Sequence, residues 1–522
     1  MNKRTKYLLT TGIMIGLLVS ALDTTIVDTA FPRMVAELHG EAIFTWVLTM
    51  YMLTSTAVVP MVGKLADMYG RRLFFLAGVA LFVSGSVLCG LAGSMMQLII
   101  FRGLQGIGGG MLLPAAYTIV GDIYPGAQRV TAQAFLSAVW GIAASVGPKL
   151  GGWLTQYYTW RWIFFINLPI GLIAIAIIFF GYKESGQRAR QSVDWLGSMT
   201  ITASTTFFLL ALARGGVAWA WGGWQSLGLF GAAAAFLLLS VWVESRVPEP
   251  VLDPKLFRNR IFTVVNAGGL IAGAAMYGAI VFIPWFMQGI NGVDPNQAGN
   301  VAMPMMLALG ICTVLAGRLA LKVPYRVLFS TGFVLLSVGF YLMTGWNVNT
   351  TLLQATLCSM AVGAGLGLII PMLTPTLQNA FPASQRGVVT SASQFSRQIG
   401  STIGLTLFGV VFNQQMARGL QQQLAGAMPD GVARVFRQAV GDPQSLVRIL
   451  LAKELQAALP AGVREQVVDG VKGMMAGSLQ MVFWTGLLFV LVGLVATQFM
   501  GNAGLKQRAV VDDEQVALAV GD

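Results

Sequence analysis

Asp23, Asp28, Arg102, Lys149 and Arg397 fall well inside stretches that are otherwise apolar enough to cross a membrane. Ionisable groups are costly to hold there, and where they occur they tend to mark proton paths or substrate sites. Removal from water favours the neutral form of a carboxyl, and a neighbouring cation reverses that preference. An acid and a cation that move together and apart could thus release and take up a proton. Asp23 and Asp28 are five residues apart, about 140° around a helix, so they do not share a face. Asp28 is open to three readings: a solvated end group, a second proton site, or an attractor for cationic substrate. Arg102 opens the run "RGLQGIGGG" and is expected to act on an acid such as Asp23. The competing reading is a structural arginine, satisfied by carbonyls or reaching the outer surface along its stem. Lys149 has three readings as well: a counter-charge facing a cavity, a snorkelling amine, or a wedge in a helix contact.

To position such groups the chain offers fourteen apolar stretches of about twenty residues, the length that crosses roughly 30 Å of hydrocarbon as a helix. Of its 522 residues 56% are hydrophobic and only 10% charged, against about a quarter charged in soluble domains. Lipid is therefore the main solvent, and without period-two alternation the spans read as helices. The first stretch (7–32) is too long for a cleaved signal peptide and holds two aspartates. Cys89, Cys312 and Cys358 all fall in spans and read as small buried thiols. Lys and Arg crowd the segments that a cytoplasmic N-terminus would place inside, among them Lys64, Arg71, Arg72, Arg129, Arg258 and Arg326, and are sparse in the short loops opposite. Both termini are then cytoplasmic, and the net charge of +12 calls for no nucleic-acid partner. The long outer segment 415–477 escapes the rule. Its "DPQSLVRILLAKELQAAL" (442–459) spaces apolar residues as an amphipathic helix does, for the membrane surface, the pore mouth or a partner.

A shift of 257 residues lays "LIIFRGLQGIGGGMLLPAAYTIVGDIYP" (98–125) over a second copy around 359–386. Gly106, Gly108 and Gly110 fall on Gly363, Gly365 and Gly367, Pro114 on Pro371, Arg129 on Arg386 and Gly147 on Gly404. "GKLADMYGRR" (63–72) matches "GRLALKVPYR" (317–326) at a shift of 254. Two six-helix halves follow, 1–183 and 261–505, with an inserted helix pair and linker (184–260) between them and a tail at 506–522. The repeated glycines and prolines suggest close packing and a break near mid-span. Arg102 has Ser359 for a mate, and Arg397 has Trp140; asymmetric positions are the better places for chemistry.

These motifs resemble the major facilitator superfamily, in its fourteen-span drug:H⁺ antiporter branch. "GKLADMYGRR" is similar to the loop signature between spans 2 and 3, "RGLQGIGGG" to the span-4 motif, "GPKLGG" (147–152) to the span-5 antiporter motif and "LDTTIVDTAFP" (22–32) to the span-1 motif of that branch. The resemblance implies a proton-exchanging role for Asp23 and a latch built from Gly63, Asp67, Gly70, Arg71, Arg72 and Arg129. It also implies a hinge at Gly147, Pro148, Gly151 and Gly152. Asp67 could pair with one of those arginines or with a helix N-terminus across the half. Lys149 stands where the family usually has an apolar residue.

The function expected is proton-coupled export of a hydrophobic compound, cations among the candidates, by alternating access across a bacterial inner membrane. A lipid or an endogenous metabolite is the alternative cargo. Tyr51, Tyr117, Met276, Tyr277, Trp285, Lys149 and Arg397 are expected around the substrate cavity. The proton gradient supplies the energy, so no cofactor or metal is called for, and the chain is expected to act as a monomer. An embedded enzyme fits poorly, because His39 is the sole histidine and no Ser–His pair or zinc-ligand set is present. "GIGGG" follows no strand and leads to no GK[ST], which argues against nucleotide binding. A channel is disfavoured by the duplicated halves.

Overall fold

A computed structural model describes the protein except residues 1–2, 39–45, 125, 183–194, 217–218, 248–252, 294, 321, 383–384, 426–428, 439–445, 448–449, 451–460 and 502–522. Its regular structure is helical: α1 (Lys3–Leu38), α2 (Trp46–Tyr69), α3 (Arg71–Gly90), α4 (Met95–Ile123), α5 (Gly126–Tyr157), α6 (Trp162–Phe165), α7 (Asn167–Gly181), α8 (Trp195–Arg214), α9 (Trp224–Glu244), α10 (Arg260–Gly289), α11 (Pro295–Leu319), α12 (Tyr325–Thr344), α13 (Leu352–Ala380), α14 (Arg386–Ala425), α15 (Asp430–Gln438) and α16 (Ala461–Gln498). Among the described residues eleven passages are long and apolar enough to cross a membrane. The helices α5, α11 and α14 complete fourteen. They pack across the boundary between the halves, α5 on α11 and α14 on α2. Lipid-facing side chains lie bare elsewhere, with Leu238 70% and Leu353 68% exposed.

The duplication reaches down to helix caps. Ser94 accepts from the Gln97 N–H at 3.3 Å to start α4, and Thr351 accepts from the Gln354 N–H at 3.3 Å to start α13. Such caps satisfy backbone donors left over at a helix start. Packing repeats too: α2 and α3 lie on α4, and α1 on α5 and α7; α11 and α12 lie on α13, and α10 on α14 and α16. The glycine rows explain the close fit. A Cβ at Gly106 or Gly110 would strike the α2 backbone and one at Gly108 the α3 backbone, while Gly363 and Gly367 face α11 and Gly365 faces α12 in the same order.

Two expectations change. The helices α4 and α13 run unbroken through Pro114 and Pro371, so the repeated prolines make no mid-span break. The stretch expected as one span at 160–182 holds as Trp162–Gly181, with helical backbone at Ile166 between α6 and α7. The 415–477 segment is partly an extension of spans: α14 continues to Ala425 and α16 begins at Ala461. Most of 442–459 lies outside the described residues. The inserted α8–α9 pair packs through α8 on α2 and α14.

Candidate functional site

Asp23 and Arg102 meet. Arg102 Nη1 lies 2.5 Å from Asp23 Oδ2, with both side chains fully buried. Asp23 Oδ1 accepts from Gln105 Nε2 at 2.8 Å and from Asn167 Nδ2 at 3.3 Å. Ser86 Oγ, 3.2 Å from Gln105 Nε2 and 2.8 Å from Asn167 Nδ2, joins the same cluster and donates to the Phe164 carbonyl at 3.0 Å. Arg102 Nη1 also donates to Gln105 Oε1 at 2.7 Å, and Nε to the Val47 carbonyl at 3.3 Å. Its Nη2 has no hydrogen-bond acceptor among the described residues, but the guanidinium sits 4.3 Å from the Tyr51 ring centroid, a cation–π arrangement. Arg102 therefore does not snorkel. Gln105, Ser86 and Asn167 were not singled out from the sequence. Gln105 could have been, because it stands one helical turn after Arg102 on the same face.

On the other side of Tyr51 lies a cavity of about 1070 Å³. Ser20 and Thr24 of α1, Tyr51, Ser55 and Thr56 of α2, Trp140 of α5, Met276 and Tyr277 of α10 and a long face of α14 from Arg397 to Ala417 line it. Asp23 and Arg102 do not. Ser20 and Thr24, one turn apart on α1, face the cavity, whereas the buried Asp23 is directed toward Arg102 of α4. The Tyr51 hydroxyl lies 3.1 Å from Ser20 Oγ, so these two residues belong to both regions. Of the residues expected around a substrate cavity, Tyr51, Met276, Tyr277 and Arg397 line this one and three others lie elsewhere. Tyr117 is buried with its hydroxyl 2.7 Å from Ser137 Oγ. Trp285 packs against Phe282 and Phe412. Lys149 is exposed, on one stripe of α5 with Val146 and Trp153, because successive turns of that helix direct it outward.

The end of the bundle where α1 begins and α2 finishes, the basal end, is bonded shut. Asp67 Oδ2 accepts from the Gly387 backbone N–H of α14, in the opposite half, at 2.9 Å. Its Oδ1 accepts from Arg71 Nη2 at 2.7 Å, and Arg71 also pairs with Asp122. Asp122 Oδ1 is 3.7 Å from Arg386 Nη1 across the boundary. The duplicated positions form a second, less charged node: Arg129 Nη1 donates to Asn379 Oδ1 at 3.0 Å, and Asn379 Nδ2 to the Tyr325 hydroxyl at 2.8 Å. Gln133 Nε2 donates to Gln378 Oε1 at 2.8 Å between them. Arg72 lies apart from this group and bonds the Phe179 carbonyl. Gly63 lets α2 lie against Gly387, and Gly70, at φ 108°, makes the α2–α3 turn in a conformation that favours glycine.

At the hinge motif the described residues include one close contact. A Cβ at Gly147 would strike Thr25 of α1, whose Oγ1 donates to the Ala143 carbonyl at 3.2 Å. Gly151 is buried, while a Cβ at Gly152 would meet nothing within 4 Å. The helix α5 is continuous through Pro148. The side chains of Pro148 and Asp28 lie outside the described residues.

Residues 13–405 match the Major Facilitator Superfamily. The chain is 40% identical over 521 residues to the Multidrug transporter protein MdtP of Bacillus subtilis, covering 98% of this chain and 96% of that one. It is 34% identical over 502 residues to Multidrug resistance protein 3 of the same organism, covering 95% and 96%. Among solved structures, the human organic anion transporter MFSD10 superposes with a TM-score of 0.62 at 13% identity, over 95% of this chain and all of that one, which bears on the fold alone. With its duplicated helical halves, bonded basal end and central cavity, this chain belongs to the major facilitator superfamily.

Proposed function

We propose that the protein is a proton-coupled secondary exporter of hydrophobic compounds that works by alternating access, with both termini in the cytoplasm of a bacterial cell. The observation that carries the reading is the buried Asp23–Arg102 pair, separated from the cavity by Tyr51. A carboxylate beside a guanidinium is held ionised, and one drawn away from it in apolar surroundings takes up a proton. A shift of α1 against α4 within the first half, coupled to the rocking of the two halves, would part Asp23 from Arg102 and rejoin them, and substrate against Tyr51 and Ser20 would bias that shift without touching the acid. With the basal end cytoplasmic, as the basic loops suggest, the closed gate is inside and the cavity is poised to release cargo outward. The transporters named among its relatives support a role in drug efflux.

The test is transport in proteoliposomes with an imposed pH gradient. A hydrophobic dye should move against its own gradient, and a protonophore should abolish the movement. Uphill movement indifferent to the protonophore refutes proton coupling, and strictly downhill movement points to a channel.

A further inference from the structure

We propose that the cavity takes substrates that carry a negative charge on an aromatic or otherwise apolar body, and that Arg397 of α14 receives that charge. The proposal deepens the exporter reading by naming a substrate class for its cavity, and it depends on that reading only for the direction of movement. Among the described lining residues Arg397 bears the only charge; the others are hydroxyl, amide, thioether, aromatic, aliphatic or glycine. The cationic compounds entertained from the sequence would meet, among the described lining residues, a single charge of their own sign.

The contrast with Arg102 sharpens the point. Arg102 is matched by a carboxylate at 2.5 Å. Arg397 has no carboxylate within ion-pair distance among the described residues. Its Nη2 donates to Gln394 Oε1, one turn back on the same helix, at 3.2 Å. A guanidinium has five N–H donors in a planar fork that fits two oxygens of a carboxylate or sulfonate at once. Held in a cavity with apolar walls, it is weakly screened, so both attraction for an anion and repulsion of a cation are stronger than at a solvated surface.

The surrounding groups suit the rest of such a molecule. Trp140, at the position equivalent to Arg397 in the first half, and Tyr277 offer aromatic surface, and Met276 a thioether that adapts to varied shapes. Gln398 and Asn413 also line the cavity along α14 and can bond neutral polar groups. The volume, about 1070 Å³, suits a drug-sized amphiphile.

The proposal can be tested with three probes of one ring system: 4-(1-pyrenyl)butyrate, 4-(1-pyrenyl)butanol and 4-(1-pyrenyl)butyltrimethylammonium. Binding to the full chain in lipid nanodiscs, with no gradient, is read by energy transfer from tryptophan to pyrene. The butyrate should bind on the order of tenfold more tightly than the ammonium, the discrimination expected of a single charge contact. Arg397→Gln should erase that difference while leaving butanol affinity unchanged, which also verifies an intact cavity, and Arg397→Lys should keep part of it. Equal or tighter binding of the ammonium by the unaltered protein overturns the proposal. So does an equal loss of all three probes in Arg397→Gln, which would make the arginine structural. If the butyrate is preferred but is not moved uphill by a pH gradient, the exporter reading fails and the binding site stands. Uphill movement of the ammonium with no butyrate preference does the reverse.

Discussion

In the first half Arg102 reaches across to the carbonyl of Val47; in the second its mate Ser359 reaches, at 3.1 Å, to the carbonyl of Val301, the mate of Val47. The neighbours can be matched in the same way. Gly85 fits against Gln105 as Gly339 fits against Val362, and Gly147 meets Thr25 as Gly404 meets Ala274. By those contacts Gln105 corresponds to Val362, Ser86 to Phe340 and Asp23 to Ala272, all buried. One half closes its core with an acid, an arginine, an amide and a hydroxyl. The other closes the same geometry with hydrocarbon and one serine. A buried ion pair is commonly no more stabilising than well-packed apolar residues in its place. The scaffold thus needs close helix contacts at these positions and has no packing need for charge, which separates what holds the fold from what the first half does besides.

Breaking the charge pair from its acidic side should have the largest effect. Asp23→Asn leaves a buried guanidinium without a counter-ion, a loss of about 3–5 kcal/mol in comparable buried pairs, and should abolish movement driven by a pH gradient. Melting curves and proteoliposome transport read the two effects; full transport at several pH values would remove Asp23 from the coupling step. Next come the shared features. Gly108→Val and Gly365→Val each push a side chain into backbone of the neighbouring helix and should cost about 1–3 kcal/mol apiece, the usual range for overpacking. Similar losses are expected in both halves, and tolerance in one alone would break the equivalence of the scaffolds.

Arg102→Ser copies the second half's residue into the first. The second half packs with Ser359 at the equivalent position, so a folded protein is expected, with transport no longer responsive to the pH gradient. Misfolding would show that the cation is structural, and normal coupling would dismiss it from the mechanism. The smallest effect concerns the two basal nodes. Asp67→Asn weakens the charged node toward the character of its neutral counterpart, and replacing a charge-assisted hydrogen bond by a neutral one costs about 1 kcal/mol. Distances between spin labels across the basal end should then show a larger open population; an unchanged distribution would mean that Asp67 is no latch.

Much of this was legible in the residues alone. The number of passages, the duplication and the glycine rows follow from the lengths of apolar runs and from self-similarity, because a membrane span and a close helix crossing each demand a residue type at a fixed spacing. Asp67 and Arg71 stand four residues apart across the Gly70 turn between α2 and α3, near enough in the chain to be read as partners. Chain spacing is silent on Asp122 with Arg386, Arg129 with Asn379 and Gln133 with Gln378, which join residues far apart in the chain.

What the sequence determined by itself is a membrane protein of fourteen helices in two related halves, with an acid and an arginine in the first that the second lacks. The tertiary structure decided which faces those residues show. It directed Asp23 toward Arg102 while Ser20 and Thr24 face the cavity, brought Asn167 to the acid, and sent Lys149 outward. It also put Arg397 among the residues that line the chamber. The physical reason is that position along a helix sets the angle of a side chain relative to its neighbours on that helix, whereas burial, pairing and access depend on how each helix is rotated against the others.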